Sequence, residues 1–262
     1  MTFEELKKDA IKSEDLDALF KIWKEAHVSE NEPTENNQKT YIYYTTKGFP
    51  PIEKDSFIAD GYIDFDYYSK ANKKMLFVLR EANIVMYREN ENCKPYERNQ
   101  KGFYYWYIDD LKSNRPKQQE KMARMAYYLQ HPELPEEDRR TPNDESLKSA
   151  LKASGYMNIN KRGGGSLLDW KVFDNYYEKY KEFIEKQIRI MNPDYIVLIG
   201  SNNYELFSEG IKIWHTSYRM KGRRRIGTDY GSTRNVDCYM RRFFEVVKEY
   251  DTKTNNTSTS NN

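Results

Sequence analysis

Met75-Leu76-Phe77-Val78-Leu79 is a run of five apolar residues, with Lys73-Lys74 before it and Arg80-Glu81-Ala82-Asn83 after it. A short continuous apolar run with charged borders predicts a strand covered on both faces, as in a parallel sheet. Tyr195-Ile196-Val197-Leu198-Ile199-Gly200 repeats the pattern behind Asn192-Pro193-Asp194, and weaker versions stand at 156–160 (YMNIN) and 211–215 (IKIWH). Helical periods lie around these runs. Residues 174–191 put Tyr177, Tyr180, Ile184, Ile188 and Met191 on one face, and 236–250 do the same with Tyr239, Met240, Phe243, Val247 and Tyr250. Strands alternating with amphipathic helices predict an α/β fold, a three-layer α/β/α sandwich with a four-stranded, mainly parallel sheet.

The chain has 262 residues, room for one large domain or two small ones. Its 43 Lys+Arg against 41 Asp+Glu leave a net charge of +2, which excludes a histone-like polycation and an acidic tail protein. A hydrophobic content of 38% is low, but 23 Tyr, 12 Phe and 4 Trp supply large rings that bury area while keeping polar handles wet. A folded protein with an aromatic-rich core is expected. Two cysteines, Cys93 and Cys238, are too few for a disulfide scaffold, a cysteine-based zinc site or a four-thiolate iron–sulfur cluster. The opening MTFEELKKDAIK lacks the apolar stretch of a signal peptide, and no segment has the apolar length of a membrane span. These features predict a cytoplasmic protein with no membrane contact.

Residues 1–30 read as helical and 29–40 (SENEPTENNQKT) as a polar linker, so 1–40 is expected to be an N-terminal extension to a domain over 41–250. The aromatic stretch 41–68 has no assignable period. The tail 251–262 (DTKTNNTSTSNN) reads as disordered. In an open parallel sheet, ligands bind at the carboxyl ends of the strands, where the strand order reverses. The residues to read are therefore Arg80 to Asn83, Asn158 to Ser166, Gly200 to Asn203 and His215 to Arg219. They include a carboxylate, amides, glycines, a histidine and cations. The chain has no G-x-G-x-x-G, P-loop, G-x-S-x-G or H-E-x-x-H, which disfavours dinucleotide enzymes, NTPases, ordinary esterases and zinc peptidases.

Four segments, in order, resemble the uracil-DNA glycosylase superfamily over 75–250. FVLREAN is similar to the family's first motif, a strand ending in a turn with an acidic or amide catalytic residue, with Glu81-Ala82 matching the Glu-Ala of one bacterial branch. YMNINKR at 156–162 resembles the segment that pairs a base-reading Asn with a Lys three residues on. NPDYIVLIG looks like the third strand, and His215-Thr216-Ser217 looks like the closing His-Pro-Ser. Asn83 and Thr216 stand where the family has proline, and the four cluster cysteines of that bacterial branch are absent.

The resemblance implies a monofunctional DNA glycosylase of the base-excision repair type, a monomer that acts on a flipped-out uracil-like or modified base without cofactor or metal. Breaking the N-glycosidic bond gives an anionic base and an oxocarbenium-like sugar. Glu81 would orient water or stabilise the cation, and His215 would donate to the departing base. Asn158 offers a donor and an acceptor to the base edge, while Arg80, Asn83 and a ring such as Phe103, Tyr87 or Tyr96 complete the substrate contacts. Lys161, Arg162, Ser217, Arg219, Lys221 and Arg223 would hold phosphates, with Met220 as a wedge. Arg219, Lys221, Arg223, Arg224 and Arg225 place five cations in seven residues, a footprint suited to DNA. Three alternatives remain open: a non-catalytic nucleic-acid-binding protein on the same fold, a nucleoside or nucleotide hydrolase, and a small-molecule hydrolase in which the Arg cluster pairs with carboxylates.

Overall fold

The computed structural model describes residues 1–30, 57–83, 117–164, 169–200, 204–214, 216 and 236–259. Within them lie eight α-helices: α1 (Phe3–Lys12), α2 (Leu16–Ser29), α3 (Phe65–Lys70), α4 (Lys117–Gln130), α5 (Glu136–Arg140), α6 (Asp144–Lys152), α7 (Trp170–Met191) and α8 (Val236–Thr259). Five strands, β1 (Gly61–Tyr62), β2 (Met75–Asn83), β3 (Ser154–Gly164), β4 (Tyr195–Ile199) and β5 (Ile211–Ile213), form one mostly parallel sheet in the order β1-β3-β2-β4-β5. The protein is thus mixed α/β. Both strong apolar runs are strands; the weaker candidate 156–160 falls within β3, and of 211–215 only Ile211–Ile213 form β5, with His215 outside the described residues. The sheet has five strands rather than the expected four. The addition is β1, two residues inside the aromatic stretch and too short to show a period.

The chain divides into two compact units, Met1–Gly61 with Leu79–Phe103 and Tyr156–Asn192, and Tyr62–Val78 with Tyr104–Gly155 and Pro193–Asn262. In the first, the N-terminal region breaks into two helices because each has its own cap. Thr2 and Glu5 form a capping box on α1, and the Asp15 carboxylate accepts from Ala18 N–H at the start of α2. Both helices pack on α7, so the expected N-terminal extension shares a core with the domain that it precedes. Trp23 of α2 is fully buried and stacks on Tyr180 at 6.1 Å, and Tyr180 stacks on Tyr176 at 4.5 Å. Each fully buried apolar side chain contributes about 1.5–3 kcal/mol. Helix α7 starts at its Asp169 cap and ends at Asn192, whose left-handed φ of 46° and following Pro193 stop it.

The same unit buries two ion pairs. The Asp60 carboxylate accepts from Lys161 Nζ at 2.6 Å, Gln187 Nε2 at 2.8 Å and Asn158 N–H at 2.7 Å. The Glu30 carboxylate accepts from Arg162 Nη2 at 2.9 Å and from the Tyr180 hydroxyl. Burial pulls the Lys161 ammonium down to about 8, with Asp60 opposing that shift. Both pairs anchor β3.

In the second unit, β2 and β4 run parallel with Met75 opposite Tyr195 and Val78 opposite Leu198. Asp194 sets this register: its carboxylate accepts from Lys74 N–H at 2.8 Å, and its own N–H and that of Tyr195 donate to Lys74 O. Strand β5 pairs parallel with β4, Val197 opposite Ile211. Gly210 just before it is closely approached: a Cβ there would stand 2.8 Å from Leu198 Cδ1, and that side chain would have to shift. Helix α4 packs on α5, α6 and α8, with Tyr128 against Phe244 at 4.6 Å and Arg139 over the Tyr128 ring at 4.3 Å. The tail expected to be disordered continues α8 as far as Thr259, because no Gly or Pro interrupts it. No helix among the described residues is long and apolar enough to cross a membrane.

Removing one partner of a buried pair strands the other charge. Lys161→Met is expected to destabilise the fold by about 3–5 kcal/mol in urea unfolding, and Asp60→Asn combined with it should recover part of the loss. A Lys161→Met protein as stable as wild type would show that the pair holds nothing.

Candidate functional site at the end of strand β2

Strand β2 runs to Asn83, and its last residues lie in the first compact unit. By the general rule for open α/β sheets, its carboxyl end is where a ligand belongs. That end carries Arg80 and Glu81. Glu81 is half-buried, and its Oε2 accepts from Asn160 Nδ2 at 3.0 Å. Desolvation pushes the Glu81 carboxyl up to about 7, helped by the charge of Asp169 and opposed by the Asn160 hydrogen bond and the Arg80 guanidinium. Among the described residues the direct partner of Glu81 is thus a neutral amide, and it makes no ion pair with Arg80 or Lys161.

The orientation of that amide is set by the strand itself. Arg162 N–H donates to Asn160 Oδ1 at 2.9 Å, so Nδ2 is the end left to face the carboxylate. Asn160 Nδ2 also donates to Gly163 O at 3.4 Å, and Gly163 holds a left-handed φ of 83° that suits glycine. The first glycine of Gly163-Gly164-Gly165 therefore closes the end of β3 around Asn160. Gly165 and Ser166 lie outside the described residues.

Arg80 carries its guanidinium 5.2 Å from the centroid of the Trp170 ring. Trp170 is 49% exposed and packs edge-on against the buried Phe173. No sequence signal singled out Trp170. It opens α7, more than eighty residues from Arg80, and only the fold brings them together.

Three expected contacts change. Lys161 and Arg162 are not available to phosphates: both side chains are fully buried, on Asp60 and Glu30, and extracting them would leave uncompensated carboxylates. Asn158 is also fully buried, and neither atom of its amide has a hydrogen-bond partner among the described residues. The amide near the carboxylate is Asn160 instead, two residues on and so on the same side of a regular strand. Asn83 ends β2, with only its backbone described.

His215, Phe103, Tyr87, Tyr96, Ser217, Arg219, Met220, Lys221 and Arg223 lie outside the described residues, as do Arg224 and Arg225. The flanks of His215 are described. Trp214 O accepts from the Tyr239 hydroxyl at 2.6 Å, and Thr216 O accepts from the buried Lys121 Nζ at 2.8 Å. Both neighbours of the histidine are thus held by buried donors. Among the described residues, no group of three His, Cys, Asp or Glu side chains is placed to hold a metal ion. The chain matches no protein-family model, no curated protein and no solved structure.

A carboxyl raised from 4.5 to about 7 is held most comfortably in its protonated form. The fold gains stability from Glu81 in acid and loses it as pH rises through 7. Glu81→Gln keeps an acceptor for Asn160 without the charge. It is expected to be more stable than wild type by roughly 1–3 kcal/mol above about pH 8, with the difference closing below about pH 4. Denaturant midpoints across that range check this, and a constant difference would refute it.

Proposed function

We propose that the chain is a monofunctional glycosylase that hydrolyses the N-glycosidic bond of a uracil-like or modified base in DNA, on a three-layer domain of the uracil-DNA glycosylase type. The observation that supports the reading is Glu81, a half-buried carboxyl at the carboxyl end of β2 with one oxygen held by Asn160, which burial pushes up to about 7. A base poised near neutrality takes a proton from water most effectively at physiological pH. With Oε2 engaged, Oε1, which has no hydrogen-bond partner among the described residues, would accept from the water that attacks the anomeric carbon, and the carboxylate charge favours the oxocarbenium-like sugar. His215 supplies the donor to the leaving base. No lysine of the site serves as a nucleophile, so base release proceeds without strand cleavage. Lys161, the site lysine of the resembling motif, is paired with Asp60.

A second reading, a nucleoside or nucleotide hydrolase, gains support from the burial of Lys161 and Arg162, which removes two expected phosphate contacts. A panel of single- and double-stranded DNAs with uracil, hypoxanthine, xanthine and modified pyrimidines, run beside the free nucleosides, separates the two. Mass spectrometry is expected to find released base from DNA, reduced by about 10²–10⁴ in Glu81→Gln. Release at an unchanged rate in that variant would remove Glu81 from the mechanism. Turnover of nucleosides without gain from DNA would select the second reading.

The rate should rise with pH through about 7 as Glu81 ionises. Asn160→Ala withdraws a hydrogen bond that favours the charged form, so the midpoint of its pH–rate profile is expected to move upward. A midpoint unmoved or lowered would separate Asn160 from the carboxyl.

A further inference from the structure

Trp170 is a large aromatic side chain about half open to solvent, an arrangement that core packing does not require. Its position is fixed from below. Phe173, wholly buried, meets it edge-on at 6.3 Å with an interplanar angle of 85°, and Asp169 caps the same helix turn by accepting from Val172 N–H at 3.2 Å. Arg80 lies over the indole, 5.2 Å from its centroid. Among the described residues Arg80 makes no ion pair and no side-chain hydrogen bond, and its charge acts on the neighbouring Glu81 carboxyl. Arg80 is the chain neighbour of Glu81, and Asp169, bonded to Trp170, lies close enough to act on the Glu81 carboxyl. The ring and the cation are in direct contact, and the carboxylate belongs to the next residue along the strand.

We infer that Trp170 is a stacking platform for a nucleobase of a single-stranded or extruded nucleotide, with Arg80 holding the adjoining phosphate. The ligand class rests on the N-glycosidic reading above; the geometry of ring and cation does not. An exposed indole beside a guanidinium is a pairing that sequence-tolerant nucleic-acid sites use, because every base has a π-face and every nucleotide a phosphate.

The test measures binding apart from chemistry. The full-length Glu81→Gln protein is titrated against a fluorescein-labelled, single-stranded, deoxyuridine-containing oligonucleotide, followed by anisotropy at several salt concentrations. Trp170→Ala in that background is expected to weaken binding by about tenfold or more, the loss of one stacked base. Trp170→Phe, which retains a ring, should keep most of the affinity. Arg80→Ala should lower the slope of log affinity against log salt by about one. Unchanged circular dichroism and melting separate lost contact from lost fold.

Equal affinity in Trp170→Ala and its parent overturns the inference, and so does a parent that binds no oligonucleotide. A weakening in Trp170→Phe as large as in Trp170→Ala also overturns it, because a stacking role tolerates another ring. Trp170-dependent binding together with no base release from the wild-type protein would uphold the platform and remove only the glycosylase chemistry. Glu81-dependent release with a KM indifferent to Trp170 would do the reverse.

Discussion

The Asp60 carboxylate, buried and served by three donors, is the constraint on which the candidate site depends. Together with Glu30 it holds two adjacent cations, Lys161 and Arg162, inside the protein. A buried pair of this kind adds little net stability over an apolar replacement, because desolvation offsets most of the Coulomb gain. Its effect is geometric. With the two side chains fixed, the backbone between Asn160 and Gly163 has one place to go, and Arg162 N–H meets Asn160 Oδ1. That contact turns the amide nitrogen toward Glu81. A structural carboxylate thus acts on the candidate catalytic one through a strand and an amide.

Glu81 sits under opposed influences. Burial and the charge of Asp169 favour its neutral form, while the Asn160 donor and the Arg80 guanidinium favour its charge. Burial is the larger influence, leaving the carboxyl near 7. A carboxylate wholly exposed would be a weak base at neutral pH, and one wholly buried would stay protonated. The half-buried setting at the end of β2 gives an intermediate value, at a cost in stability above neutrality.

Much of the fold was legible in the sequence. The runs at 75–79 and 195–199 became β2 and β4 because uninterrupted apolar residues between charged borders have few other places to go. Helix α7 followed from its period and from Asn192-Pro193. The site was legible in part. Glu81 could be found because a carboxylate after a buried strand is conspicuous. Lys161 and Arg162 read as surface cations, since charged residues are rarely buried without partners, and their partners Asp60 and Glu30 lie more than a hundred residues away. Choosing Asn160 over Asn158 needed the register of β3 against β2, which no local pattern encodes. Trp170 looked like one aromatic among many until the fold set it beside Arg80. Helices α4 to α6 carried no motif to read and belong to the other compact unit.

The most direct test of this account is a carbon-13 NMR titration of the Glu81 carboxyl in the wild-type protein, assigned by its disappearance in Glu81→Gln. A midpoint near 7 is the result that the burial, the Asn160 contact and the Arg80 charge together predict. A midpoint at the ordinary glutamate value near 4.5 would mean that Glu81 is a solvated surface carboxylate, and the end of β2 would lose its claim to chemistry.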